Sequence, residues 1–397
     1  MDPVRNPFAP GAGSQPPELA GRDQIIEDAT IALQRSIRGR HSRSQILLGL
    51  RGVGKTVLLN RIEELAEAND HLTSLIEAPE NKELSDLLYP KLVQVLRKLS
   101  VLEKSKAAAH KALRALRSFA SVFKIAIGDV SIAVDPEQGL ADSGNLEFDL
   151  SELFVKIGEA AKSAGRGWTL LIDEVQYLRE TDLSALIVAI HHCNQKNLPV
   201  LFFGAGLPQV ASLTGDAKSY AERLFSYPPV GALDPAAAGA AIRNPIEEEG
   251  ESISDSALEQ IIADTHGYPY FLQEWGYQSW RAADKSPIGA TNVQVASKEA
   301  IKRLDDGFFK VRFDRLTKKE RDYVIAMARL GDGPYRSSDV AEIMGEKVQS
   351  LGPVRASIIR KGMIYSPSHG DIAFTVPLFE DYLERIFHDR LLKEFDN

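Results

Sequence analysis

Gly49-Leu50-Arg51-Gly52-Val53-Gly54-Lys55-Thr56, entered from the apolar run Ile46-Leu47-Leu48, decides how the rest of the chain is read. It fills every fixed position of the pattern G-x-x-x-x-G-K-[ST]. The run before it has the length of a buried strand and the spacing after it is helical, so the motif lies on a strand-to-helix turn. On such a turn the glycines let backbone N–H groups curl around phosphate oxygens, and the helix N-terminus adds partial positive charge. Lys55 is placed to meet β- and γ-phosphates, and the Thr56 hydroxyl to ligate Mg²⁺. Gly49, Arg51, Gly52, Val53, Gly54, Lys55, Thr56 and Val57 are therefore the candidate contacts to ATP or ADP.

Working outward, Leu72–Glu77, Trp168–Ile172 and Val200–Phe203 read as further strands with helical segments between them. That alternation predicts an α/β fold, a parallel sheet with helices on both faces. The third strand runs into Asp173-Glu174, the expected partner of a phosphate loop. Asp173 is the candidate second holder of Mg²⁺, and Glu174 the group that orients or deprotonates an attacking water. Upstream, Asp23–Ile37 has helical spacing, and residues 1–20, rich in Pro, Gly and Ala, read as a flexible, extended arm. Leu87–Leu116 reads as one amphipathic helix with a solvated basic face. Alternation around Gly128-Asp129 predicts an inserted β-hairpin near 121–135.

A length of 397 residues, set against domains of roughly 150, implies two or three units. The boundaries read as 21–229 for the nucleotide domain, 230–305 for a helical lid and 306–397 for a winged helix-turn-helix. The net charge of −8 argues against a surface coated with basic residues for nonspecific nucleic-acid binding. No apolar stretch reaches the roughly 18 residues of a membrane span, and the N-terminus lacks a signal-peptide core. The single cysteine, Cys193, fits a reducing compartment, so a cytoplasmic protein is expected. His191-His192-Cys193 is not read as a metal site, because consecutive helical residues point about 100° apart.

With loop and acidic pair in hand, the chain over roughly residues 16–305 resembles the AAA+ and related signal-transduction (STAND) ATPases. Pro17–Asp23 resembles the segment those proteins, including origin-recognition initiators, set beside the adenine, which implies a nucleotide contact near Arg22. Asp173–Gln176, reading Asp-Glu-Val-Gln, resembles the acidic motif of STAND-type and archaeal-type ATPases. Ser219–Phe225 resembles the box carrying an arginine finger, which makes Arg223 the candidate to reach a neighbour's γ-phosphate and implies at least a transient homo-oligomer. Thr265-His266-Gly267-Tyr268-Pro269 resembles the STAND Gly-x-Pro lid motif, which puts Pro269 near the base and His266 toward the phosphates. Two departures stand out. Gly204-Ala205-Gly206-Leu207 offers no side chain able to hydrogen-bond where AAA+ members usually keep a polar residue after the fourth strand, and the lid lacks their usual arginine. A slow ATPase or a nucleotide-held switch is expected, rather than a fast motor.

Leu316–Leu330, Ser338–Met344 and Ser350–Lys361 read as helices, and Met363–Tyr365 and Ile372–Val376 as strands around a wing tip at Ser366–Gly370. The second helix of the turn should bury Leu351, Val354 and Ile358 and expose Gln349, Arg355 and Arg360. Lys347, Arg355 and Arg360 are candidate phosphate contacts, Gln349 a candidate base contact, and His369 a wing contact to duplex DNA. Nucleotide domain, lid and winged helix follow the layout of origin-recognition and transposition-type ATPases. The alternative is a STAND-type signalling or defence ATPase whose winged helix makes protein or autoinhibitory contacts.

Overall fold

A strand with neighbours on both sides and helices above and below reads as a near-continuous apolar run, and strand β3 (Gly167–Asp173) is buried at every position. In a computed structural model, which describes residues 1–11, 16–80, 82–125 and 135–395, β3 sits within a five-stranded parallel sheet. Its companions are β1 (Ser44–Leu48), β2 (His71–Glu77), β4 (Val200–Gly206) and β5 (Phe225–Ser226), in the order β2-β3-β4-β1-β5. All pairings are parallel, as the alternation of strands and helices requires. The sheet belongs to a unit made of Arg22–Gly49 and Gly54–Val230.

Helices Asp23–Ile37, Lys55–Ala68, Leu146–Ser163 and Glu180–Gln195 cover this sheet. Trp168, Phe154, Leu170, Phe202 and Phe225 are among the side chains at the centre of its core. The expected single helix over 87–116 is two, Leu84–Ser100 and Lys106–Val122. Ser105 makes the break, its hydroxyl donating to the Leu99 carbonyl at 2.7 Å. Of the expected hairpin, Phe123 and Ile125 follow the second helix without forming a strand, and residues 126–134 lie outside the described part.

The other unit comprises Met1–Gly21, Leu50–Val53 and Gly231–Asn397. Its lid helices are Pro235–Glu248, Asp255–Thr265, Pro269–Ala282 and Ala290–Leu304. The N-terminal stretch, read as a free arm, is instead packed on this lid at residues 1–8. Phe8 is buried against Gly276, the Trp280 indole N–H donates to the Asp2 carbonyl at 2.8 Å, and Asn6 donates to the Tyr277 carbonyl. The physical reason is the aromatic ring, which finds a slot that only a glycine at 276 leaves open.

After a π-helical turn, Asp305–Phe309, the chain forms helices Lys318–Ala328, Ser337–Met344 and Val348–Arg360. A three-stranded antiparallel sheet follows, β6-β8-β7, from Tyr335–Arg336, Asp371–Phe374 and Ile364–Tyr365. The region is winged-helix-like, with Leu351 and Ile358 buried as the spacing requires, while Val354, also expected inside, is half-buried. Among the described residues no helix is long and apolar enough to cross a membrane.

Candidate nucleotide site

The sheet order sets β4 between β1, which ends at the loop, and β3, which ends at the acidic pair. Gly206 on β4 pairs with Leu48, and its carbonyl accepts the Gly49 N–H at 3.0 Å. Gly52 and Gly54 adopt φ of +83° and +91°, a region closed to most side chains. Gly54 then leads directly into the helix Lys55–Ala68.

Lys55 is buried, and its ammonium donates to the Gly49 carbonyl at 2.9 Å, closing the loop on itself. The Thr56 hydroxyl donates to Asp173 Oδ2 at 2.5 Å, while Asp173 Oδ1 accepts the Glu174 N–H at 2.8 Å. Burial pushes the Asp173 carboxyl above its usual range, an effect opposed by the Thr56 bond and by Lys55. Two hard oxygen donors, Thr56 Oγ1 and Asp173 Oδ2, side by side next to a loop shaped for phosphates, are the donor set that suits Mg²⁺. Val57 is packed inward behind them.

Glu174 turns out of β3 in the left-handed region, at φ +56°. Its carboxylate takes a bond from the Gln176 amide, and the Gln176 carbonyl oxygen accepts the Leu207 N–H at 3.1 Å. Sequence reading left the end of β4 without a polar side chain. Gln176 supplies one from β3's side; the motif names the residue, but its bond to β4 depends on a partner 31 positions away, which the sequence pattern does not show.

Residues 50–53 of the loop are held by the lid and the winged-helix-like region. The Arg51 N–H donates to the Thr375 carbonyl at 3.2 Å, the Tyr268 hydroxyl to the Arg51 carbonyl, and the Tyr270 N–H to the Gly52 carbonyl at 3.1 Å. A side chain at Gly362 would run into the Arg51 guanidinium. Pro269 opens the helix Pro269–Ala282 and is half-buried, while His266 is exposed in a left-handed cap. Arg22 is buried just ahead of its helix, and its carbonyl accepts the Ile26 N–H.

Arg223 lies on the short helix Ala221–Leu224, exposed, at a concavity of about 380 Å³ shared with His41, His191 and Tyr220. On the winged-helix-like region Lys347, Gln349, Arg360 and His369 are exposed. Arg355, expected to be exposed, is half-buried and donates to the Ser337 hydroxyl at 3.0 Å, because that hydroxyl sits at the start of the preceding helix. His192 bonds Ser151, the His191 ring packs at a tilt against Tyr220, and the buried Cys193 thiol is pushed up by burial. Among the described residues no group of His, Cys, Asp and Glu is arranged to hold a metal.

The AAA ATPase domain family matches residues 18–203, and a domain of unknown function (DUF8462) matches residues 306–383. No curated protein matches the sequence. A Walker-type ATPase of Pyrococcus abyssi is similar in structure, with a TM-score of 0.55 at 16% identity over 92% of this chain and 96% of the other. The RuvB Holliday junction branch migration motor of Thermotoga maritima gives 0.47 at 15% identity, over 93% and 98% of the two chains. The ORC1 protein of Aeropyrum pernix in complex with DNA gives 0.45 at 13% identity, over 98% of each. The family match and the β2-β3-β4-β1-β5 sheet agree: over residues 18–203 the chain resembles the AAA+ P-loop ATPases.

Proposed function

We propose that the protein is an ATP-binding, slowly hydrolysing switch whose nucleotide state governs a winged-helix-like region that contacts duplex DNA. The observation that carries the nucleotide half is the convergence of Lys55, Thr56, Asp173 and Glu174 on one glycine-rich turn. In this reading Lys55 leaves the Gly49 carbonyl for phosphate oxygens, Thr56 and Asp173 hold Mg²⁺, and Glu174 takes the proton of the attacking water. Bound Mg²⁺ would supply charge neutralisation at the phosphates. Arg22 is proposed as a nucleotide contact, and so, on its own resemblance, is Pro269. Arg223 is exposed, and among the described residues its guanidinium makes no hydrogen bond or ion pair, its only bond being the backbone N–H to the Tyr220 carbonyl, which suits a finger for a neighbouring copy.

Support for the DNA half comes from the exposed Lys347, Gln349, Arg360 and His369. Arg355 is withdrawn from the DNA-contacting set by its bond to Ser337. Lys361 is likewise engaged, by Glu320 at 2.6 Å. A signalling switch with a protein-facing winged helix is the second reading, favoured by the Arg51–Thr375 bond that ties the loop to the wing.

The deciding experiment measures duplex-DNA affinity of the wild type, Lys55→Ala and Lys347→Ala/Arg360→Ala with ATP and with ADP at two salt concentrations. The DNA reading expects an ATP-dependent affinity that Lys55→Ala flattens and the double change weakens, with a shallower salt slope. Retained nucleotide binding with no DNA affinity at low salt would sink it in favour of the signalling reading.

A further inference from the structure

We propose that Gln176 is a positioning residue for Glu174, standing in for the polar side chain that β4 lacks at its end. The inference rests on the hydrolysis reading above. β4 closes on Gly204-Ala205-Gly206 before Leu207, and nothing in that run carries a side-chain donor or acceptor. Gln176, in the short turn Val175–Tyr177 beyond β3, bridges the gap. Its Oε1 accepts the Leu207 N–H and its Nε2 donates to Glu174 Oε2.

The orientation of this amide follows from chemistry. The Leu207 N–H can only donate, so the Gln176 oxygen must face β4 and the NH₂ must face the carboxylate. Glycine at 206 is the other half of the arrangement, since a Cβ there would come within 2.8 Å of Gln176 Oε1 and 2.7 Å of Val210 Cγ2. The missing side chain of β4 and the carboxamide that fills its place are thus a matched pair. Glu174 Oε1 has no hydrogen-bond partner among the described residues, which leaves one oxygen for water while the other is tethered. A neutral amide donating to a carboxylate is a charge-assisted bond and restricts the carboxylate's rotation.

The test uses the full chain as wild type, Gln176→Ala, Gln176→Glu and Glu174→Gln, with steady-state ATP turnover and binding of a fluorescent ATP analogue measured on each. Gln176→Ala is expected to lower kcat roughly ten- to hundredfold while nucleotide Kd changes less than about twofold. Gln176→Glu keeps an acceptor for the Leu207 N–H but sets a second carboxylate against Glu174, so its kcat should fall at least as far. Near-wild-type turnover in Gln176→Glu would reduce Gln176 to a tie for β4 and overturn the proposal. So would an unchanged or raised kcat in Gln176→Ala. Should Gln176→Ala fail to fold by circular dichroism, the near-isosteric Gln176→Glu decides alone. Wild-type turnover that Glu174→Gln abolishes but Gln176→Ala leaves intact sinks the positioning role only. Turnover independent of Glu174 sinks the hydrolysis reading together with it.

Discussion

His71 is 2% exposed, and both ring nitrogens are in use. Nδ1 lies 2.8 Å from the Thr169 hydroxyl, and Nε2 lies 3.1 Å from the Leu33 carbonyl, which can only accept, so Nε2 carries the proton of a neutral ring. Burial brings its pKa down to about 4, against a smaller upward pull from the Leu33 carbonyl and Asp70. Since the unfolded chain titrates near 6.5, it binds a proton that the folded chain refuses between those values. The contribution to stability is therefore full above about pH 6.5 and is lost as pH falls toward 4, a swing of about 3 kcal/mol. Denaturant midpoints at pH 7.5 and 4.5 should drop accordingly in the wild type and much less in His71→Gln; equal drops would refute the assignment. At the loop, Glu174→Gln is expected to bind ATP with near-normal affinity and to lose at least about 100-fold in turnover, read by single-turnover hydrolysis. The loop and the acidic pair were legible in the sequence because their spacing is imposed by bonds within one turn. The bonds of Gln176 and Arg355 were not, because what fixes each is a distant partner, Leu207 and Ser337.

At the scale of elements, the longer strands declared themselves as apolar runs, while β5 and β6, two residues each, are too short to carry a period. The break at Ser105 was hidden because both helices beside it are amphipathic. The N-terminal stretch was misjudged for a different reason: Pro and Gly mark an irregular backbone, and irregular backbone can still be anchored by one ring. Phe8 is that ring, and the indole of Trp280, bonded to Asp2, and the side chain of Asn6 hold the backbone ahead of it. Phe8→Ala should cost about 3 kcal/mol, the lower end for an aromatic ring removed from a close-packed slot. Amide exchange in Pro269–Ala282 should accelerate in that variant while exchange in β1–β4 is unchanged. Uniform acceleration, or none, would show that the ring does not anchor the lid.

The phosphate-loop motif and the helical spacing announce a sheet domain followed by helices, yet the grouping of residues 50–53 with the carboxy-terminal half is not legible in them. That grouping rests on backbone bonds from Thr375, Tyr268 and Tyr270 to a loop more than 200 positions earlier, and backbone bonds leave no residue signature. Its consequence is specific. On the proposed function, a nucleotide that reshaped the loop would act on the Arg51 amide bonded to Thr375 and on the guanidinium packed at Gly362. In the proposed switch, Arg51 is then where the coupling passes, and coupling is a free energy shared by both ligands. If ATP in place of ADP changes DNA affinity tenfold, about 1.4 kcal/mol, DNA must change the ATP-to-ADP preference by the same factor. Arg51→Ala removes the side chain at Gly362 and keeps the backbone N–H. It should therefore bring both factors toward one while leaving basal affinity for each ligand within about threefold. Anisotropy titrations of DNA at fixed nucleotide, and of nucleotide at fixed DNA, measure the two sides independently. Full coupling in Arg51→Ala would move the link elsewhere, and a collapse of nucleotide affinity would make Arg51 a phosphate ligand and not a relay.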